Sequence, residues 1–316
     1  MALSVIYCVL PRRVLFSIYT GQVKVHSFRK LLSPPVPHLP RRRYRCYCQL
    51  VSTVASSADI SSSVSDRERQ IRSPKLVALE YADLNLTDKF CEEVGHVRIR
   101  QHVNPLRSSL LAPTEVPNWS EVYRDSSLPL MVDIGCGGGR FLLYLAKQCP
   151  DSKNYLGFEI RPKLVKRAVY WANELGLKNI HFMFANATVS FERIVSTYPG
   201  PLLLVSILCP DPYFKKKHHK RRVVKRPLVQ SIADRLAQGG QVFIQSDVHE
   251  VAIDMKDCFD GMSKLLHIDS VDSNVLCDSN GWVLNNPMGI RTEREIHAEF
   301  EGSKVYRRLY VKKVEH

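Results

Sequence analysis

Short apolar runs recur between residues 130 and 246, separated by stretches with helical spacing, and this alternation constrains the fold more than any other feature of the chain. Runs that are apolar at consecutive rather than alternate positions are what strands covered on both faces require. They fall at 130–134, 155–159, 180–184, 202–208 and 241–246, with a closing strand expected around 306–312. Helical patterns fill the gaps. The clearest spans 162–175, with Pro162 in the first turn and Gly176 where a C-terminal cap belongs. The chain therefore reads as α/β, a parallel sheet with helices on both faces.

Ahead of this region the composition is different. No acidic residue precedes Asp59, whereas Arg12, Arg13, Lys24, Arg29, Lys30, Arg41, Arg42, Arg43 and Arg45 supply nine of the net fourteen positive charges. A leader rich in Ser, Pro and Arg, with no acid in its first 58 residues, has the composition of an organellar transit peptide, for a chloroplast or alternatively a mitochondrion. We therefore divide the chain into a leader, 1–72, and a folded domain, 73–316. The apolar stretch from Ala2 to Leu10 ends at Pro11 and Arg12, too short to span a bilayer, so no membrane association is expected. A secretory signal is the competing reading. Against it stand nine scattered cysteines, an odd number, with several in apolar stretches, as in reduced proteins. The Cys46-Arg-Cys48 pair lacks further ligands at metal spacing, and no metal site is expected.

The sharpest local motif is Asp133-Ile-Gly135-Cys-Gly137-Gly-Gly139-Arg140, after the first strand and before a helix at 141–147. Glycines let a backbone turn tightly and approach a ligand. Glu159, at the end of the second strand, is placed to take both hydroxyls of a ribose. A dinucleotide-binding loop requires a third glycine where Arg140 stands, so that reading fails. Asp133 beside the loop repels a pyrophosphate but suits the amino and sulfonium charges of S-adenosylmethionine. Asp133, Gly135, Gly137 and Glu159 are accordingly candidate cofactor residues. Asn186-Ala187 follows the third strand, where the loop closes over an adenine.

The fourth strand runs into Leu208-Cys-Pro210-Asp211-Pro212-Tyr213-Phe214 and then Lys215, Lys216, Lys217, His218, His219, Lys220, Arg221 and Arg222. In an open α/β sheet this carboxyl edge carries the ligand, so an acid, two aromatics and a basic run open onto the cofactor. A solvated face or a nuclear-import signal is the plainer reading of such a run. Its place after a buried strand and a Pro-Asp-Pro turn favours a polyanionic partner, as does the net charge of +14. Trp119 and Trp171 read as packing residues, and His218 and His219 as part of the basic surface.

These segments resemble the tRNA guanine-N7 methyltransferases. The resemblance rests on Asp133-Ile-Gly-Cys-Gly, Gly157-Phe-Glu159-Ile-Arg161, Pro210-Asp211-Pro212 with its basic run, and Ser246-Asp247. Arg98-Ile-Arg-Gln-His-Val-Asn-Pro105 and Arg291-Thr292-Glu293-Arg294-Glu295 add to it. It covers roughly 95–315 and implies a Rossmann-like class I methyltransferase fold with a mostly parallel seven-stranded sheet, here in an organelle-targeted member. It implies that Gly135, Glu159, Arg161, Asn186, Ala187 and Leu208 hold S-adenosylmethionine and that Asp211 is the catalytic acid. Lys215, Asp247, Thr292 and Glu295 are expected to face the tRNA. Asn186 stands where bacterial members often have Asp, Cys209 replaces an aromatic, and Ser246 replaces Thr. Eukaryotic members of the cytosol and nucleus work with a noncatalytic subunit, so such a subunit or a homo-oligomer is a further expectation. Two rival classes remain open at this point: a methyltransferase of the same fold acting on another RNA, a small molecule or a protein, and a noncatalytic RNA-binding protein.

Overall fold

The computed structural model describes residues 73–89 and 103–314. The leader, Cys46, Cys48, Cys91 and the segment from Arg98 to His102 lie outside the described residues. Seven strands form one sheet: β1 (Leu130–Ile134), β2 (Asn154–Glu159), β3 (Ile180–Phe184), β4 (Leu202–Leu208), β5 (Leu236–Ser246), β6 (Leu265–His267) and β7 (Tyr306–Lys312). Their order is β3-β2-β1-β4-β5-β7-β6, parallel except for β7, which runs antiparallel to both β5 and β6. The α/β class and the seven-stranded, mostly parallel sheet are as expected.

Every residue of β1 is buried, because both of its faces are covered. Leu130, Val132 and Ile134 join one apolar cluster, together with α5 (Ala187–Val195), α6 (Arg226–Arg235) and α7 (His249–Asp260). Met131 joins the other, with α1 (Ser73–Glu80), α3 (Arg140–Gln148), α4 (Pro162–Glu174) and α8 (Glu293–Phe300). A short helix, α2 (Trp119–Val122), precedes the sheet. Its Trp119 stacks on Tyr123, 5.9 Å between ring centroids, and Trp171 lies fully buried beneath the Arg140 and Arg167 guanidinium groups. Both tryptophans are packing residues, as their sequence context suggested.

Two strands differ from expectation. β5 begins five residues early, at Leu236, where it pairs with Leu202. β6 was not resolved as a separate run, because three residues with one buried carry almost no periodicity. None of the helices formed by described residues is long and apolar enough to cross a membrane. The strand order reverses between β1 and β4, which opens a crevice at their carboxyl ends.

Candidate functional site

The glycine loop between β1 and α3 shapes one wall of this crevice. Gly135 N and Cys136 N both donate to Phe158 O, at 2.8 and 3.1 Å, folding the loop across the end of β2. Gly135 has φ +85°, and a Cβ there would meet nothing within 4 Å, so its backbone faces open space. Gly139, the N-cap of α3, serves differently. A Cβ on it would come within 2.7 Å of Ala168 Cβ, so this glycine lets α4 pack close.

Beyond the loop lies an open cleft of about 700 Å³, solvent at its mouth included, the size of a cofactor site. Gly135, Glu159, Arg161, Asn186, Ala187 and Asp211 all line it, joined by Pro105, Tyr213, Arg221 and Val223. Glu159 is only 2% exposed. Its carboxylate accepts from Gly137 N at 2.9 Å and from Arg161 through N and Nε, both at 2.9 Å, and Nη2 at 3.2 Å.

Three cofactor expectations are placed differently from the sequence reading. Asp133 is buried behind the loop, where Oδ1 accepts from Ser206 Oγ at 2.7 Å, and it is not among the residues lining the cleft. Burial pushes its carboxyl up to about 7, against the opposing pull of the Ser206 bond, with Glu159 adding to the rise. Gly137 acts through the N–H it gives Glu159, and Leu208 packs partly buried against the core. Asn186 lines the cleft, yet its amide is committed. Oδ1 accepts from Thr188 N, capping α5, and Nδ2 donates to Pro105 O and Leu110 O, both at 3.1 Å. It thereby straps the 103–111 segment onto the sheet edge.

Past β4 the chain makes a strained turn around Asp211. Cys209 and Tyr213 both adopt left-handed backbone, φ +49° and +46°, which costs an L-residue about 1–2 kcal/mol each. Fixed contacts hold this geometry: Cys209 N donates to Gln245 O at 2.7 Å, and Tyr213 Oη donates to Val103 O at 2.5 Å. Arg222 supplies a third. Its guanidinium is buried, with Nε donating to Pro212 O at 2.8 Å, Nη2 to Glu250 at 2.9 Å, and Nη1 pairing with Asp254. Among the described residues His219, Glu250 and Asp254 are the one group with metal-ligand proximity, but Arg222 already supplies the cation between these carboxylates. His219 belongs to this ion-pair cluster rather than simply extending the basic surface.

Of the residues expected to face RNA, Lys215 is exposed at the start of the 3₁₀ helix Lys216–Arg221. Asp247, at the same sheet edge, is paired with Arg294 at 2.6 Å. Thr292 is the N-cap of α8 and forms a capping box with Glu295. The expectation for Glu295 is corrected. Its side chain has no exposed surface, and its carboxylate accepts from Arg307 Nη2 at 2.6 Å, Gln245 Nε2 at 3.1 Å and Asn286 Nδ2 at 3.0 Å. It ties α8 to β5 and β7 from within. Arg221 was indistinguishable in sequence from its basic neighbours; it lines the cleft with a buried Nε that has no hydrogen-bond partner among the described residues. That orphaned donor, the open backbone at Gly135 and the buried Glu159 carboxylate together suit a ligand carrying a ribose and an anionic group, as S-adenosylmethionine does.

Comparison with known proteins agrees with this geometry. A family described as "Putative methyltransferase" matches residues 127–308. The tRNA (guanine-N(7)-)-methyltransferase of Synechococcus sp. (strain JA-3-3Ab) is 48% identical over 210 residues, covering 66% of this chain and 84% of that protein. The enzyme of the same description from Synechocystis sp. (strain ATCC 27184 / PCC 6803 / Kazusa) is 45% identical over 216 residues, covering 68% of this chain and 98% of that protein. With the cleft, the Pro-Asp-Pro turn and the basic loop assembled at one sheet edge, the chain belongs to the tRNA (guanine-N(7)-)-methyltransferase family.

Proposed function

We propose that the protein transfers a methyl group from S-adenosylmethionine to N7 of a guanine in tRNA. One observation carries this reading: Asp211 lines the same cleft as Glu159 and Gly135, while the basic loop beginning at Lys215 leaves directly from that wall. The cofactor supplies an electrophilic methyl on a sulfonium. Guanine N7 is a lone-pair acceptor without a proton, so no general base is required. The protein's task is alignment, which by itself contributes up to about 7–11 kcal/mol to such reactions. Glu159 holds the ribose, Arg221 offers its Nε to an anionic group, and Asp211 accepts from the N1 and N2 hydrogens of guanine. That contact selects guanine and offsets the positive charge developing on the base. The left-handed residues on either side of Asp211 keep its carboxylate in the cleft wall.

The arginine-rich leader, which has no acidic residue before Asp59, supports import into an organelle, a chloroplast before a mitochondrion, and a fluorescent fusion of residues 1–72 tests that address. The activity is tested by incubating the chain lacking this leader with unmodified tRNA and methyl-labelled S-adenosylmethionine, then identifying the labelled nucleoside. Label in 7-methylguanosine supports the reading, and label in any other nucleoside overturns it. Cofactor binding without label directs the search to a noncatalytic subunit, and a size measurement shows whether the chain self-associates.

A further inference from the structure

Phe214 has no part in the chemistry above, yet it stands one residue from the cleft wall. At 68% exposure it is the most exposed large apolar side chain among the described residues. The backbone on either side of it is fixed. Tyr213 sits in left-handed conformation with its hydroxyl on Val103 O and lines the cleft, and Lys215 caps the 3₁₀ helix that follows. Lys215, Lys216 and Lys217 are exposed next to it. A planar apolar ring at the head of a row of cations matches an unstacked RNA nucleotide, whose base offers a π-face and whose phosphates meet the lysines. An apolar protein partner is a poorer match, because charged residues are depleted where such interfaces are driest.

We propose that Phe214 is a stacking platform for an unpaired nucleotide adjacent to the target guanine, an inference that rests on the RNA reading of the preceding subsection. Phe214 would hold that neighbour while the guanine enters the cleft.

The test measures binding of unmodified tRNA to the full chain across a salt series, with Phe214→Ala, Phe214→Trp and Lys215→Ala compared with wild type. Loss of one stacked base is expected to weaken binding about 5- to 150-fold. Phe214→Ala should show that loss without changing the slope of log affinity against log salt, and Phe214→Trp should bind close to wild type. Lys215→Ala should instead reduce the slope by about 0.7–0.9, the signature of one phosphate contact. Three results overturn the proposal: wild-type affinity in Phe214→Ala, a loss accompanied by a shallower slope, or a changed oligomeric state with RNA affinity intact. The binding readout does not depend on turnover. If wild type makes no 7-methylguanosine but Phe214→Ala still loses affinity in the expected way, the stacking role stands and the N7 assignment falls.

Discussion

Replacing Glu295 by Ala separates a contact made inside the protein from one made to RNA. The substitution leaves the Arg307 guanidinium, 8% exposed, with Glu299 and Gln245 as its remaining partners, both at 3.2 Å. Breaking a buried ion pair from one side costs about 3–5 kcal/mol, because the surviving charge is stranded in a poorly solvating environment. Glu299 still offers Arg307 a carboxylate, so the lower end, about 3 kcal/mol, is expected here. For a domain of this size each kcal/mol lowers the melting temperature by roughly 2–4 °C, which gives a fall of about 6–12 °C. Scanning calorimetry without cofactor measures it. Thr292→Ala removes only the N-cap bond, worth about 1 kcal/mol, and should lower the melting temperature by about a third as much. Below the melting range, tRNA affinity of Glu295→Ala should equal that of wild type, since the carboxylate has no exposed surface. An unchanged melting temperature together with a large loss of tRNA binding would refute this reasoning and return Glu295 to the RNA interface.

Three further outcomes are expected. Asp211→Ala should lose turnover by far more than it loses cofactor affinity, measured by single-turnover methylation beside calorimetric titration; a normal rate constant in the folded variant excludes the guanine contact. Arg222→Lys keeps a cation beside Glu250 and Asp254 but removes the Nε donor that holds Pro212 O, and a misplacement of this kind lowers kcat by up to about 100-fold. Cofactor affinity should change little in that variant, and unaltered kcat would show that the turn keeps its shape unaided. Asp133, with its carboxyl raised to about 7 by burial, binds its proton more tightly folded than unfolded. Its contribution to stability is therefore full below the ordinary carboxylate value of 3.8 and is lost as pH rises through about 7. Melting curves of Asp133→Asn should accordingly fall less between about pH 5 and pH 8 than those of wild type. Parallel pH profiles for the two proteins would contradict the burial argument.

Much of the fold and the outline of the cleft were legible in the chain itself. Continuous apolar runs located six strands, because a strand covered on both faces leaves its record in consecutive residues. Pro162 and the positive-φ Gly176 marked the limits of α4. The glycine loop, Glu159 and the Pro-Asp-Pro turn were recognisable because a sharp turn or a strand end is specified by adjacent residues. What the functional side chains face was decided only by the tertiary structure. Asp133 meets Ser206 across neighbouring strands, Asn186 secures a segment about eighty residues earlier, and Glu295 is enclosed by Gln245, Asn286 and Arg307. Arg221 and Arg222 are adjacent and chemically identical, yet one lines the cleft with a donor that has no partner among the described residues and the other is locked between two carboxylates of α7. Local periodicity follows from neighbours along the chain and is written there, whereas the partner of a buried polar group depends on which distant segments the packed sheet brings within 3 Å of it.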